Sequence, residues 1–230
     1  MTASNANAIP KPQGLLLDAM GTLIGLRHSV GSTYAAFAAE HGVIVDADAI
    51  NAVFPNLFKA APPLAFPGLS GSALLEAEQT WWIDLITTCL ETCGVRDPLP
   101  PALGPALFQH FAGPEPWQVY ADVAEHLQRW RAAGLKLAVV SNFDQRLGPL
   151  LEHLHLAPLL DAVVVSTQVG AAKPDPRPFA RALELLNLPP AAAWHIGDSP
   201  EDEAGAQAAG LRCLLIRRPR PAGTPGGVSP

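Results

Sequence analysis

The first residue whose position in the sequence suggests chemistry is Asp18. It follows the apolar residues 15–17, and a short continuous apolar run is typical of a strand buried on both faces. Asp18 therefore lies where this strand should end, which is where open α/β sheets bind their ligands. Polar residues at the ends of later predicted strands, or in the loops after them, favour a catalytic Asp18. In chain order these are Ser141 with Asn142, Lys173, and Asp198 with Asp202.

An alternation of strands and helices would position these residues. The pattern predicts strands at residues 14–18, 135–140, 162–166, 194–196 and 211–216. Helices that precede or follow the later strands are predicted at residues 122–133, 145–154, 178–188 and 201–209. Strands that alternate with helices favour a parallel sheet with right-handed crossovers. The pattern alone does not give the order of the strands.

The segment after the first strand has a different character. No strand is predicted between residues 24 and 115, and the helical stretches are residues 29–41, 46–59, 72–93 and 102–111. Ser29 and Asp46 are suitable N-cap residues for the first two helices. A loop rich in proline and glycine precedes the third helix, which carries Trp81 and Trp82. We therefore predict a helical insert, residues 25–115, after the first strand.

Composition excludes several classes of protein. The chain has 230 residues, of which 49% are hydrophobic and 16% charged, and a formal net charge of −6. A negative chain is a poor partner for nucleic acid or an anionic membrane, and no apolar run approaches the roughly 20 residues of a membrane span. Residues 1–12 lack the apolar core of a signal peptide. With three cysteines and no paired framework, we expect a reduced, cytoplasmic protein.

The polar strand ends, taken in order, resemble the four motifs of the haloacid dehalogenase superfamily. This resemblance implies a Rossmann-like parallel sheet with strand order 3-2-1-4-5, the first strand being central. It implies a core domain of residues 14–24 and 116–216, and it makes the helical insert a mobile cap over the site. Residues 1–13 and 217–230 are expected to be mobile tails.

The resemblance also implies a role for each site residue. Asp18 would be the nucleophile, which attacks an electrophilic centre and forms a covalent intermediate. Lys173 would bridge Asp18 and the transferred group, and Thr22 would orient the Asp18 carboxylate. The Ser141 hydroxyl and the backbone amide of Asn142 would hold phosphoryl oxygens.

Attack on a phosphate ester brings two anions together, so the resemblance implies Mg²⁺ as cofactor. Its ligands would be Asp18, the backbone carbonyl of Met20 and Asp198, while Asp202 would hold the waters of the ion. Such a set suits Mg²⁺, which usually takes one or two protein carboxylates together with substrate and water. In this family the last acid often lies five residues after the first, where this chain has Glu203.

Each assignment has a structural alternative. Ser141 and Asn142 would also suit a helix cap, Lys173 a solvated loop, and Asp198 a turn. His195 is expected to face away from the site and to pack in the core. His28 lies just past the first motif and is within possible reach of the site.

One position departs from the phosphatase pattern. Phosphatases of the superfamily carry a second aspartate two residues after the nucleophile, where this chain has Met20. The backbone carbonyl that would ligate the metal is kept, but the carboxyl that protonates the leaving group and then activates water is lost. Acid/base catalysis of this kind typically contributes about 10²–10⁴ in rate.

Two groups of relatives also lack that acid. The L-2-haloacid dehalogenases need no metal and have a similar first motif, but they replace the acids of the fourth motif, which this chain keeps. The second group is a poorly characterised eukaryotic subfamily. This chain resembles it at residues 26–28 with 30–31, at Trp81-Trp82, and at residues 141–144 with 146–147.

The function expected from this sequence is a weak Mg²⁺-dependent phosphatase of a small phosphorylated metabolite. The alternatives are a metal-independent 2-haloacid dehalogenase and a degenerate member that binds a phosphorylated ligand or a protein without turnover. The sequence identifies neither the substrate nor the oligomeric state. It does not assign Arg27, Phe66, Trp81 and Trp82 to the site or to the core.

Overall fold

The computed structural model describes residues 11–218, and its strands form two sheets. In chain order, the strands are β1 (Gly14–Leu17), β2 (Ile24–Leu26), β3 (Trp117–Val119), β4 (Lys136–Ser141), β5 (Ala162–Val165), β6 (Ala193–Gly197) and β7 (Arg212–Leu215). The larger sheet is parallel throughout and has the order β5-β4-β1-β6-β7. Counting only these strands along the chain gives 3-2-1-4-5, the predicted order. The smaller sheet, β2 with β3, is the detail that the prediction lacked.

Strand β1 is central because its side chains are apolar on both faces. Leu15 and Leu17 pack in one core, and Leu16 packs in a second core on the opposite face. Leu16 pairs with Ala138 of β4 on one side and with His195 of β6 on the other. A strand that can bury both faces and both edges belongs in the middle of a sheet. Asp18 consequently lies between the ends of two neighbouring strands.

Helices cover both faces of the larger sheet. In chain order, the helices are α1 (Val30–Glu40), α2 (Ala47–Ala60), α3 (Gly71–Thr92), α4 (Leu103–His110), α5 (Val123–Ala132), α6 (Leu147–His153), α7 (Ser166–Val169), α8 (Arg177–Leu186) and α9 (Pro200–Ala208). Helices α5 and α6 bury leucines against the face of Leu15 and Leu17. Helices α8 and α9 cover the face of Leu16. No helix in the described part of the chain is long and apolar enough to cross a membrane.

The helical insert has a core of its own. Helices α1 to α4 pack around Tyr34, Ile50, Phe54 and Leu90. Ser29 caps α1 by accepting a hydrogen bond from the backbone N–H of Ser32 at 3.1 Å, and Asp46 caps α2 in the same way. Both caps agree with the sequence prediction, because a cap depends only on residues next to it in the chain.

The prediction of no strand between residues 24 and 115 was wrong at one place. Strand β2 pairs antiparallel with β3, so that Ile24 lies opposite Val119. Each strand has three residues, which is too short for a recognisable period. The ribbon joins the segments through which the chain enters and leaves the helical insert.

The predicted mobile ends fall largely on residues 1–10 and 219–230, which lie outside the described residues. The described residues 11–13 and 217–218 also belong to the predicted tails, and their contacts do not support the predicted boundaries at residues 13 and 217. The backbone N–H of Gln13 donates to Ala192 at 2.7 Å, and Gln13 accepts from Lys136 at 3.0 Å. Arg218 donates to the backbone carbonyl of Thr22 at 2.9 Å and pairs with Asp122. Gln13 and Arg218 are therefore part of the folded unit.

Candidate active site

Lys173 joins two carboxylates at the carboxyl end of the sheet. Its Nζ lies 2.6 Å from Oδ1 of Asp18 and 2.6 Å from Oδ1 of Asp202, and it donates to the backbone carbonyl of Val140 at 3.1 Å. Ser141 Oγ donates to the same Asp18 oxygen at 3.2 Å. These side chains are buried. The loop between α7 and α8 thus brings an ammonium group between residues that follow β1 and β6.

Asn142 holds Lys173 in place through the backbone. Its Oδ1 accepts from the N–H of Lys173 at 2.7 Å, and its Nδ2 donates to the carbonyl of Lys173 at 3.0 Å. The sequence suggested a role only for the backbone amide of Asn142. The structure adds this side-chain contact with a loop 31 residues away, which no local pattern could indicate.

Asp202 is held by donors on both carboxylate oxygens. Oδ2 accepts from the backbone N–H groups of Asp198 and Ser199 and from Ser199 Oγ at 2.7 Å. Ser199 and Asp202 together form a capping box at the start of α9, and the Ser-x-x-Asp pattern is a local signal that could have revealed it. Asp202 is 1% exposed, whereas Glu203 lies on the exposed side of the helix. The geometry therefore favours Asp202 over Glu203 as the site acid.

Two glycines allow the acids to approach. A Cβ added to Gly197 would lie 2.3 Å from Cγ of Asp202, and one added to Gly21 would lie 2.2 Å from Oδ2 of Asp198. Both distances are far below van der Waals contact. Gly21 also has a φ of +82°, which side chains other than glycine rarely adopt. These glycines are site residues that the sequence analysis did not identify.

His195 does not face away from the site as predicted. Its ring is buried, with Nδ1 3.0 Å from the carbonyl oxygen of Leu16 and Nε2 2.8 Å from Oδ1 of Asp202. The ring packs in the core as predicted, edge-on to Phe179. The predicted orientation is wrong because Asp202 returns from α9 to the face of β6 that carries His195 and Gly197.

Thr22 does not orient Asp18 in this structure. The residue is buried, yet its hydroxyl has no hydrogen-bond partner among the described residues. Its backbone carbonyl instead accepts from Arg218. The predicted contact with the Asp18 carboxylate is therefore absent from the described contacts, and the prediction for this side chain is wrong here.

The pKa values of the two bridged carboxylates shift in opposite directions. Burial and the nearby carboxylate of Asp202 raise the pKa of Asp18 to about 6, although Lys173 opposes this rise. Burial acts in the same direction on Asp202, but hydrogen bonds from His195 and Lys173 outweigh it and lower its pKa. Burial would lower the pKa of Lys173, yet its two carboxylate partners raise it above 10.5. Lys173 therefore stays charged at neutral pH.

Three carboxylates converge closely enough to hold a cation. One ligand oxygen each from Asp18, Asp198 and Asp202 lies within 4.8 Å of the other two. Three carboxylates carry more charge than Lys173 alone can balance, and oxygen ligands of this kind suit Mg²⁺. The donor set therefore fits a divalent cation, with Asp202 already engaged by its own hydrogen bonds.

A mainly apolar cavity of about 40 Å³ lies between the core and the helical insert. Met20 lines it, together with Asn142, Arg146 and residues of α1 to α4 that include Tyr34 and Trp82. Arg27 and His28, which the sequence could not assign, are exposed, and Phe66 is half-buried. None of these three lines the cavity.

A buried polar cluster joins the helical insert to the loop after β4. Trp82 Nε1 donates to Oδ2 of Asp144 at 2.7 Å, and Arg146 binds both oxygens of the same carboxylate, at 2.8 and 2.6 Å. Glu78 accepts from the backbone and side-chain N–H groups of Gln145. The sequence marked Trp82, Asp144 and Arg146 through the subfamily resemblance, and the structure shows that they meet.

The carboxyl end of the central parallel strand thus holds acids and a lysine, the arrangement that the sequence resemblance implied. The family model described as haloacid dehalogenase-like hydrolase matches residues 12–210. A protein of Bos taurus named haloacid dehalogenase-like hydrolase domain-containing protein 3 is 41% identical over 209 residues, which are 90% of this chain and 82% of that protein. The chain belongs to the haloacid dehalogenase-like hydrolases, and this relative bears the name of the subfamily that the sequence resembles.

Solved structures share the fold at low identity. L-2-haloacid dehalogenase from Xanthobacter autotrophicus superposes with a TM-score of 0.66 and 21% identity, over 89% of this chain and 77% of that chain. CbbY from Rhodobacter sphaeroides, in complex with xylulose-1,5-bisphosphate, superposes with a TM-score of 0.60 and 18% identity, over 90% of this chain and 87% of that chain.

Proposed function

We propose that this protein is a weak Mg²⁺-dependent phosphatase of a small phosphorylated metabolite, and that Asp18 is its nucleophile. The observation that carries the proposal is the contact of Lys173 with both Asp18 and Asp202, with Asp198 beside them. A buried ammonium between two acids lowers the cost of bringing an anionic phosphate to an anionic nucleophile. The helical insert would act as the cap over this site.

The reaction begins with attack by Asp18 on phosphorus. Oδ1 accepts hydrogen bonds from Ser141 and Lys173, so we assign the attack to Oδ2. The new bond joins Oδ2 to phosphorus, and the bond from phosphorus to the leaving oxygen breaks, with its electron pair going to that oxygen. Water then attacks phosphorus, phosphate is released, and the Asp18 carboxylate is restored.

The other residues of the site position charge. Lys173 balances the negative charge of Asp18 and of the transferred group, and Asn142 keeps Lys173 in place. Bound Mg²⁺, held by Asp18, Asp198 and the carbonyl of Met20 with Asp202 behind them, would supply further positive charge on the phosphoryl oxygens. The methionine side chain supplies no acid or base, so we expect slow turnover.

Two alternatives remain part of the proposal. Met20 and the apolar cavity favour a metal-independent 2-haloacid dehalogenase, whose halide leaves without a proton. The third possibility is a binder of a phosphorylated ligand or a protein without turnover. A cytoplasmic location accords with the three free cysteines.

A screen of phosphate release separates these functions. Purified protein is incubated with a panel of phosphorylated metabolites, with Mg²⁺ or with EDTA, and chloride release from 2-chloropropionate is measured in parallel. We expect phosphate release that needs Mg²⁺ and is lost in Asp18→Asn, while the exposed Asp97→Asn keeps the parent rate. Halide release in EDTA would favour the dehalogenase, and ligand binding without release of either product would favour the binder.

A further inference from the structure

The cavity lined by Met20 and Asn142 has, among the described residues, no side chain that can give a proton to a departing oxygen near neutral pH. Among its lining residues the titratable side chains are Tyr34 and Arg146. Burial raises the pKa of Tyr34 well above its ordinary value of 10, and a guanidinium does not release its proton in proteins. Met20, two residues after Asp18, presents a thioether to the same space.

The size of the cavity limits the size of the leaving group. At about 40 Å³, and with ~10–15 Å³ needed for one water by a comparable measure, it admits a few non-hydrogen atoms. Aromatic and aliphatic side chains from the helical insert, such as Phe58 and Trp82, form its far side. A sugar or a nucleoside would need both more space and more hydrogen-bond partners.

Arg146 is one of the polar residues that line the cavity. A guanidinium has five N–H groups, and described partners take three of them: the two Asp144 oxygens and the backbone carbonyl of Phe108. Its charge is balanced by Asp144, and its Cζ lies 3.8 Å from the ring centre of Phe108. Two N–H groups have no partner among the described contacts, and a guanidinium N–H can donate to a carboxylate.

We infer that the substrate is a short-chain acyl phosphate, an inference that rests on the proposed phosphatase function and names its substrate class. The leaving group of an acyl phosphate is a carboxylate, whose conjugate acid has a pKa of about 4, far below the pKa of water or of a simple alcohol. A carboxylate leaves without a proton, it is small, and it is an anion that Arg146 can receive.

The chemistry of the two steps agrees with this choice. In the first step, Oδ2 of Asp18 forms a bond to phosphorus as the acyl oxygen leaves with its electron pair. The phosphoryl group thus passes from one carboxylate to another, which is close to balanced in free energy. In the second step water attacks phosphorus, the Asp18 carboxylate leaves, and the proton of water goes to the solvent because no base lies in the cavity. We therefore expect the second step to limit the rate.

The test compares substrates of one size that differ in leaving group. Acetyl phosphate and ethyl phosphate are offered at equal concentrations with Mg²⁺, and phosphate release is corrected for spontaneous hydrolysis. We expect a rate at least about 10²-fold higher for acetyl phosphate, the lower end of what a missing acid costs. Rapid-quench kinetics should show a burst of acetate equal to the enzyme, and intact mass should show one added phosphoryl group that Asp18→Asn lacks.

Variants at Met20 test the cause of the preference. Met20→Asp should raise the turnover of ethyl phosphate by about 10-fold or more, because it supplies an acid for the alkoxide. Asparagine has the size of aspartate without the acid, so Met20→Asn should not raise this rate. On the parent protein, rates should fall from acetyl to butyryl to benzoyl phosphate as the acyl group exceeds the cavity.

The results that would overturn the substrate class differ from those that would overturn the proposed phosphatase function. Ethyl phosphate turned over as fast as acetyl phosphate, or benzoyl faster than acetyl phosphate, would overturn the substrate class and leave a phosphatase. Acetyl phosphate turned over equally by the parent and by Asp18→Asn, with no ester turned over at all, would overturn the proposed function as well.

Discussion

The contact between Trp82 and Asp144 should contribute measurably to the link between the helical insert and the core. Trp81 and Trp82 are neighbours in α3, both half-buried, and each donates one indole hydrogen bond. Trp81 donates to the carbonyl of Pro62 at 3.0 Å, whereas Trp82 donates to the fully buried carboxylate of Asp144 at 2.7 Å. Replacing each by phenylalanine removes the same group, so Trp81→Phe is a matched control for Trp82→Phe.

The expected difference follows from the two acceptors. A hydrogen bond to a charged group contributes about 1.5–3 kcal/mol, and one between neutral groups about 0.5–1.5 kcal/mol. Arg146 keeps two bonds to Asp144 in the variant, so the loss for Trp82→Phe should fall near the lower end of its range. We expect Trp82→Phe to lower the free energy of unfolding by about 1 kcal/mol more than Trp81→Phe. For a chain of this size, that is about 2–4 °C in Tm.

Urea unfolding followed by circular dichroism gives the two free energies, and hydrogen–deuterium exchange locates the effect. Trp82→Phe should raise exchange both in α3 and in residues 142–146, because it weakens a contact between two segments 62 residues apart. Trp81→Phe should raise exchange within the helical insert alone. Equal losses of stability in the two variants, with unchanged exchange in residues 142–146, would refute the reasoning.

Three further predictions concern the site. Gly197→Ala should reduce phosphate release by at least about 10²-fold with an unchanged circular dichroism spectrum, because its methyl group would lie 2.3 Å from Cγ of Asp202 and misplace that carboxylate; parent activity would refute this. In EDTA, the stability associated with the raised pKa of Asp18 is present below 3.8 and is lost as the pH rises through about 6. The free energy of unfolding of Asp18→Asn, measured with urea, should therefore rise relative to that of the parent by up to about 3 kcal/mol between pH 4 and pH 7, at 1.36 kcal/mol per pKa unit. A difference between the two proteins that does not change with pH would contradict this cause. Asn142→Ala should lower turnover by releasing the backbone of Lys173 and should cost about 1–3 kcal/mol of stability for each buried group left unpaired; Asn142→Asp keeps the acceptor and should lose less stability, which differential scanning calorimetry can measure.

Local patterns predicted most of the elements and the residues at the strand ends. The apolar run before Asp18 and the capping residues Ser29 and Asp46 act on their immediate neighbours, so they can be recognised without the fold. Strand β2 was missed because its partner is more than 90 residues away. His195 was assigned to the wrong face because the position of Asp202 depends on how the chain turns into α9.

The same distinction holds for the polar contacts of the site. The side chain of Asn142 acts on the backbone of Lys173, and Trp82 acts on Asp144, each across a separation that sequence spacing does not encode. Thr22 is the opposite case, a contact that was predicted from the sequence and is not found in the structure. A residue type that matches a motif was assigned a contact, but the buried hydroxyl has no partner among the described residues. Residue type and order predicted which residues lie in the site, whereas the packing of the chain determines which of their atoms are in contact.

The central position of β1 has a consequence for synthesis on the ribosome. Leu17 pairs with Val139 and with Ile196, so the strand that precedes Asp18 emerges more than 120 residues before its first partner. At about 5–20 residues per second, the wait is roughly 6–24 s. Helices α1 to α4 are made in this interval and contact mainly one another. A nascent chain that has not reached residue 136 therefore carries three exposed leucines with both strand edges unpaired, which is the state in which this protein most needs a chaperone.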